Sequence, residues 1–146
     1  AVPNREGFNM KKILVAIDGS EPSLRAGKYA IALAKGLGGD VALIHVVPPL
    51  FIPPEVPFSA GVILDESRKA GEALLERSAA ELELAAAPKI CVVGNPADQI
   101  AETAESQGFD LVVIGSKGRG AVSRMLVGST TDRVVHLCQK PVLVVR

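Results

Sequence analysis

The sequence is poor in aromatic residues and has no excess charge of either sign. Of its 146 residues only 3% are aromatic, and 16 basic side chains balance 16 acidic ones. A balanced charge gives no electrostatic reason to expect DNA, RNA or an anionic membrane as a partner. The apolar residues are mostly Val, Ile, Leu and Ala, which favours parallel strands covered on both faces by alanine-rich helices.

Cysteine is also scarce, and long apolar runs are absent. Cys91 and Cys138 lie far apart without CxxC or histidine-rich spacing, which predicts reduced core cysteines in a cytoplasmic protein. No stretch reaches the roughly 18 apolar residues of a transmembrane helix, and the N-terminus lacks the apolar region of a secretory signal. Residues 1–9 are interpreted as an N-terminal tail or an added remnant, and residues 10–146 as a single domain.

Motifs of catalysis and metal binding are missing as well. Neither GxSxG, HExxH nor a close pair of carboxylates occurs, so no residue is marked as a nucleophile or a general base. His45 and His136 have no second ligand at a suitable spacing, which predicts structural histidines. No carboxylate cluster predicts a metal site of the chain's own, although Mg²⁺ could accompany bound phosphates.

What the sequence does contain is a regular alternation of strands and helices. Short apolar runs predict strands at residues 12–17, 41–47, 89–93, 110–114 and 142–145. Helical periodicity and caps predict helices at residues 22–37, 62–87, 96–108 and 130–138. The alternation predicts an α/β fold, in which a mainly parallel, doubly wound sheet has helices on both faces.

The segment from Pro48 to Gly61 is predicted to be a loop. It contains five prolines with apolar residues between them, a content that argues against simple disorder. A pocket lid and a docking surface for a partner are alternatives. We favour a surface that orders on dimerisation or on nucleotide binding.

Two glycine-rich turns after the fourth strand have residues that suit phosphate binding. Gly115 to Gly120 follows the strand, and Gly128 to Thr131 opens the last helix. Glycines let backbone N–H groups approach phosphate oxygens, and a helix N-terminus adds unpaired donors. Lys117 and Arg119 would offset phosphate charge. The alternative is an ordinary strand-to-helix connection with a cap at Ser129 and solvated surface charges, because neither GxxxxGK[ST] nor GxGxxG is present.

The spacing of these glycines resembles the ATP-binding branch of the universal stress protein family. That branch carries Gly, two residues, Gly, nine residues, then Gly and Ser or Thr, and Gly115, Gly118, Gly128 and Ser129 satisfy this spacing. The resemblance extends through KKILVAIDGS, LIHVV, GNPADQI and KPVLVVR, and so over nearly everything after Met10. It implies a Rossmann-like, nucleotide-binding domain with strand order 3-2-1-4-5, and a homodimer joined through the last strand.

The resemblance also implies which residues contact the ligand. Ala16, Ile17, Asp18 and Val46 are expected on the adenine and ribose side, although Asp18 could instead be a turn residue that bonds its own backbone. The ribose and phosphates are expected to lie near Gly115, Ser116, Lys117, Gly118, Arg119, Gly120, Gly128, Ser129, Thr130 and Thr131. The expected ligand is ATP, with or without Mg²⁺, or else AMP or ADP.

The function that the resemblance implies is a dimeric, nucleotide-dependent switch in the stress response, with little or no turnover. An unknown protein partner would fit such a switch. A weak ATPase or an adenylate-transferring enzyme is the first alternative. The second is an interaction protein whose glycine segment binds no nucleotide.

Overall fold

The structure, a computed structural model, describes residues 10–51, 53–55, 57–118 and 127–146. The predicted tail at residues 1–9 lies outside these ranges. In chain order the elements are β1 (Lys12–Ala16), α1 (Glu21–Leu37), β2 (Asp40–Val47), α2 (Pro57–Glu81), β3 (Lys89–Val93), α3 (Pro96–Ser106), β4 (Leu111–Gly115), α4 (Ser129–Leu137) and β5 (Val142–Val145). With the exception of α2, the predicted boundaries differ from these by at most two residues.

The five strands form one parallel sheet of order β3-β2-β1-β4-β5. The predicted fold class and strand order are therefore confirmed. The order reverses between β1 and β4, and ligands of doubly wound sheets bind outside the carboxyl ends of the strands at such a point.

Local sequence signals account for the first and third helices. The Ser20 side chain accepts a hydrogen bond from the Ser23 N–H, and α1 ends where Gly38 adopts a left-handed conformation at φ 67°. The Asn95 side chain caps α3 in the same way, and Pro96 occupies its first turn. Both residue types are favoured at helix N-caps.

Helix α2 differs from the prediction at both ends. It begins at Pro57, so the last part of the predicted Pro48 to Gly61 loop is helical. Proline fits the first turn of a helix, where its missing N–H is not needed. The helix ends at Glu81 and not at Ala87, because Glu83 takes a left-handed conformation at φ 57° and the Leu84 N–H bonds back to the Ala79 carbonyl.

The core has one layer on each side of the sheet. Helices α1 and α2 cover one face, where Ile13, Val15, Leu43, Leu75 and Val113 are completely or almost completely buried. Helices α3 and α4 cover the other face, around the buried Phe109 and Val134. Burial on both faces explains why the strands are continuous apolar runs.

Both cysteines are free and half-buried, and each packs against one of these layers. Burial raises the pKa of the Cys91 thiol, with a further rise from the Glu72 carboxylate and an opposing effect from Arg68. Within the ranges given above, no helix combines the length and the apolar character needed to cross a membrane.

Candidate functional site

A cavity of about 750 Å³ opens at the carboxyl ends of the strands. Its floor comes from the ends of β1, β2 and β4, and its sides come from α2 and the start of α4. This is the point where the strand order reverses. The volume lies within the range of small-molecule and cofactor sites.

The structure brings most of the predicted site residues together around this cavity. Those that line it are Ala16, Ile17, Asp18, Val46, Gly115, Lys117, Gly118, Gly128, Ser129, Thr130 and Thr131. Ser116 does not line it and is buried beside it. Arg119 and Gly120 lie outside the described residues.

The two glycine-containing turns are in direct contact through the Ser116 backbone. The Gly128 N–H donates to the Ser116 carbonyl at 2.7 Å, and the Ser116 N–H donates to the Val145 carbonyl at 2.7 Å. Ser116 therefore links the second turn to the end of β5. The predicted site residue has a backbone role here, although its side chain does not reach the cavity.

Helix α4 begins beside the first turn and presents its N-terminus to the cavity. Gly128 is its N-cap, and the first helical bond runs from the Asp132 N–H to the Gly128 carbonyl at 2.9 Å. Within the described chain no side chain caps this end. The N–H groups of Ser129, Thr130 and Thr131 precede that bond and have no helical acceptor. Such donors, at the positive end of a helix dipole, bind anions.

Thr131 has a structural bond at this end of the helix. Its side chain is buried, and its hydroxyl donates to the Gly115 carbonyl at 2.7 Å. This bond fixes the first turn of α4 against the last residue of β4. Ser129 is exposed and Thr130 is half-buried, whereas Thr131 is buried.

Asp18 is half-buried between the first turn and the start of α1. Its Oδ1 accepts hydrogen bonds from the backbone N–H of Ser20, at 2.9 Å, and from the Ser20 hydroxyl. These bonds are those of a turn residue, the alternative role that the sequence also allowed for Asp18. Its Oδ2 lies toward Gly118, where a Cβ would be only 2.6 Å away. Asp18 therefore both forms the turn and contacts the candidate site.

Gly115 and Gly118 of the first turn both lie where an added Cβ would come close to other groups. A Cβ at Gly115 would lie 2.8 Å from the carbonyl carbon of Pro22, and a Cβ at Gly118 would meet Asp18. Neither residue needs the left-handed backbone conformation that favours glycine. Without side chains at these two positions, the end of β4 can approach Pro22 on α1, and the first turn can approach Asp18.

Sequence reasoning missed the wall that α2 contributes. Ser67, Ala70, Gly71, Leu74 and Arg77 line the cavity from this helix. Ser67, Ala70 and Leu74 form one helical stripe with a spacing of three or four residues, and Gly71 and Arg77 lie next to it. However, nothing in the sequence showed that the stripe would reach the ends of the strands.

His45 was also missed as a lining residue. Its ring lies on the α2 side of β2, and Nδ1 is 2.7 Å from the Ile17 carbonyl oxygen. A Cβ at Gly71 would be only 3.0 Å from Cδ2 of the ring. The predicted structural bond is present, and the ring borders the cavity in addition.

Among the described lining residues, positive charges outnumber negative ones. Asp18 is the only carboxylate in the described lining, whereas Lys117 and Arg77 contribute positive charge. Across the part of the chain that the structure describes, no three His, Cys, Asp or Glu side chains are close enough to share a metal ion. The arrangement can hold an anionic ligand with an apolar part.

Comparison with known proteins gives a consistent result. The profile of the universal stress protein family matches residues 9–146. Universal stress protein MJ0531 of Methanocaldococcus jannaschii is 35% identical over an alignment of 147 positions, which covers 97% of this chain and 86% of that protein.

Solved structures are similar over the same length. MJ0577 from the same organism has a TM-score of 0.77 at 33% identity, with 93% of this chain and 95% of that chain covered. A universal stress protein in complex with cAMP has a TM-score of 0.68 at 29% identity, with 93% and 97% covered.

Proposed function

Because the chain belongs to the universal stress protein family, we propose that its cavity binds an adenine nucleotide, with ATP as the physiological ligand. A similar protein is known in complex with cAMP, an adenine nucleotide. AMP and ADP would occupy the same cavity, and Mg²⁺ would accompany the phosphates of ATP.

The observation that carries this proposal is the N-terminus of α4. The three residues whose backbone N–H groups have no helical acceptor line the cavity, and the half-buried Lys117 lines it as well. The hydroxyls of Ser129 and Thr130 add donors at the same end. Donors and positive charge at one helix end match a phosphate group.

The remaining site residues take the other parts of the nucleotide. In our proposal the phosphates lie over the turns at Gly115 to Gly118 and Gly128, and the ribose lies beside Asp18. The base then lies near the ends of β1 and β2, where Ala16, Ile17 and Val46 supply apolar contacts. Arg119 and Gly120 belong to the proposed site by the family spacing alone.

We further propose that the protein is a nucleotide-dependent switch in the stress response with little or no turnover. Asp18 is the only carboxylate in the described lining and already accepts two hydrogen bonds from Ser20. It is therefore poorly placed to activate an attacking water. Two free cysteines suit a reducing compartment, and we include a cytoplasmic location in the proposal.

Calorimetric titration with ATP and Mg²⁺ tests the binding proposal. We expect a dissociation constant tighter than about 1 mM, and no binding at that concentration would refute it. Lys117→Met should weaken binding roughly 10-fold through loss of a charge-assisted contact. The matched control Lys28→Met, on the exposed part of α1, should not. A single-turnover assay that shows phosphate release at a useful rate would support the ATPase alternative.

The homodimer is proposed through β5. In the described sheet β5 pairs only with β4, so its other edge carries unpaired backbone groups. The Pro141 carbonyl, just before β5, accepts from the Val112 N–H of β4, and the Val145 carbonyl accepts from the Ser116 N–H just after β4. The alternation of a parallel strand then turns the Val144 N–H away from β4.

Val144→Pro removes that outward N–H and should leave a monomer by light scattering. The control Val144→Thr retains the N–H and should remain dimeric. A dimeric proline variant would exclude pairing through this edge.

A further inference from the structure

The imidazole of His45 occupies a defined place in the cavity wall. Its ring lies on β2 beneath α2, where the absence of a side chain at Gly71 allows the helix to approach it. The neighbouring lining residues Val47 and Leu74 are apolar. The ring is half-buried, so one part of it is packed while another part remains accessible.

The hydrogen bond at Nδ1 fixes the tautomer of the neutral ring. The partner of Nδ1 is the Ile17 carbonyl oxygen at 2.7 Å, and a carbonyl oxygen can only accept. Nδ1 therefore carries the hydrogen. In the neutral imidazole the other nitrogen, Nε2, then has a lone pair and acts as an acceptor.

Nε2 is the accessible nitrogen of the ring. Among the described residues it has no hydrogen-bond partner, and no buried side-chain nitrogen or oxygen in that part of the chain lacks a partner. An unbonded Nε2 on a half-buried ring is therefore accessible. Because His45 also lines the cavity, we infer that this accessible nitrogen is on the cavity side of the ring.

The position of His45 in the sheet indicates which part of a nucleotide it would meet. The phosphate donors stand at the end of β4, and β1 lies between β4 and β2. Neighbouring strands are about 4.8 Å apart, so β2 is roughly 10 Å from the phosphate end. A nucleotide bound along this line has its base over β2. The apolar side chains on either side of His45 suit the flat face of a base.

We propose that Nε2 of His45 accepts a hydrogen bond from the exocyclic amine of the bound base and so selects a 6-aminopurine. The inference depends on the proposed nucleotide binding and adds a specificity-determining side chain to it. A ribose hydroxyl is the other N–H or O–H donor of such a ligand. The apolar surroundings favour the base.

Three ligands separate these possibilities in calorimetric titrations. They are ATP, purine riboside 5′-triphosphate, which lacks the amine, and 2′-deoxy-ATP, which lacks one hydroxyl. The wild-type protein should bind ATP roughly 2- to 10-fold more tightly than the riboside, the value of one neutral hydrogen bond. Failure of ATP itself to bind would refute the nucleotide site. Equal affinities for ATP and the riboside would refute only the role of His45.

Two substitutions test separately the Nδ1 hydrogen bond to Ile17 and the acceptor at Nε2. In His45→Asn the amide N–H can replace Nδ1–H toward Ile17, and the acceptor at Nε2 is lost. This variant should keep its thermal midpoint and lose the preference for ATP. His45→Gln places its terminal oxygen near the Nε2 position, and should keep the preference while losing stability.

A merely structural histidine would give a different pattern, in which both variants lower the affinity for ATP and for the riboside equally. That result would overturn the proposal. Retained preference in His45→Asn would assign the amine to another group. A His45-dependent preference against 2′-deoxy-ATP would assign Nε2 to the ribose and overturn the role in base selection.

Discussion

Gly118→Ala is the change that most directly tests the contact between the first glycine turn and Asp18. The new Cβ would lie 2.6 Å from Oδ2 of Asp18, and ordinary contact requires the pair to separate by roughly 0.8 Å. The opposite carboxylate oxygen bonds to the Ser20 N–H at 2.9 Å. If the whole carboxylate moves by that distance away from Ser20, this bond is lengthened beyond hydrogen-bond range. We expect the free energy of unfolding to fall by about 1–2 kcal/mol.

The same displacement should weaken nucleotide binding, because it moves Asp18 away from the proposed ribose position and fills the approach to the first turn. Loss of one hydrogen bond to a charged group corresponds to roughly 10- to 100-fold in affinity. Urea denaturation and ATP titration measure the two effects. Gly36→Ala is the control, because a Cβ there meets nothing within 4 Å and α1 should gain about 0.5–1 kcal/mol.

An Asp18→Ala background tests whether the clash with Asp18 causes the loss of stability. If the cost arises from the clash with Asp18, the effect of Gly118→Ala on stability should nearly disappear in an Asp18→Ala protein, since the two changes are coupled through one contact. If the effects of the two substitutions on the free energy of unfolding were strictly additive, a clash with Asp18 could not be the cause. Wild-type stability together with wild-type ATP affinity in Gly118→Ala would refute the whole account.

Two further predictions concern the packed parts of the chain. Thr131→Val removes the donor to the buried Gly115 carbonyl and should lower the free energy of unfolding by about 1–3 kcal/mol, measured by urea denaturation; an unchanged midpoint would show that the bond contributes nothing. Burial raises the pKa of Cys91 above its ordinary value of 9.0, so in a Cys138→Ser background its alkylation rate should rise with a midpoint above pH 9.0. Stability from the protonated thiol should be complete below the ordinary pKa and fall as the pH passes the raised one, and an alkylation midpoint at or below 9.0 would contradict this.

The parts of the fold that depend on neighbouring residues were predictable. The caps at Ser20 and Asn95 require only the next turn of helix, and each strand is a continuous apolar run bounded by turn residues. The start of α2 was not predictable in this way. The prolines before it and Gly61 within it favour a loop locally, but a helix tolerates Gly61 at modest cost.

The site was predictable where it follows a spacing along the chain, and not where distant segments meet. The family spacing identified Gly115, Gly118 and Gly128, but the clash that requires Gly115 comes from Pro22 on α1. The α2 wall depends in the same way on how the crossover places the helix. His45 was interpreted as structural because no second ligand lies at a suitable spacing in the sequence. Its bond to Ile17 agrees with that interpretation, but a sequence does not show where the second ring nitrogen faces.

Ser116 links the start of α4 to the edge of the sheet. Its carbonyl bonds to the turn that begins α4, and its N–H, which belongs to the preceding peptide group, bonds to the last residue of β5. A ligand that moved Gly128 toward a phosphate would therefore act on the residue that also anchors the edge of the sheet. If that edge joins two subunits, occupancy of one cavity and assembly of the pair share one coupling free energy, so nucleotide would change the dimer constant by the factor with which dimerisation changes nucleotide affinity.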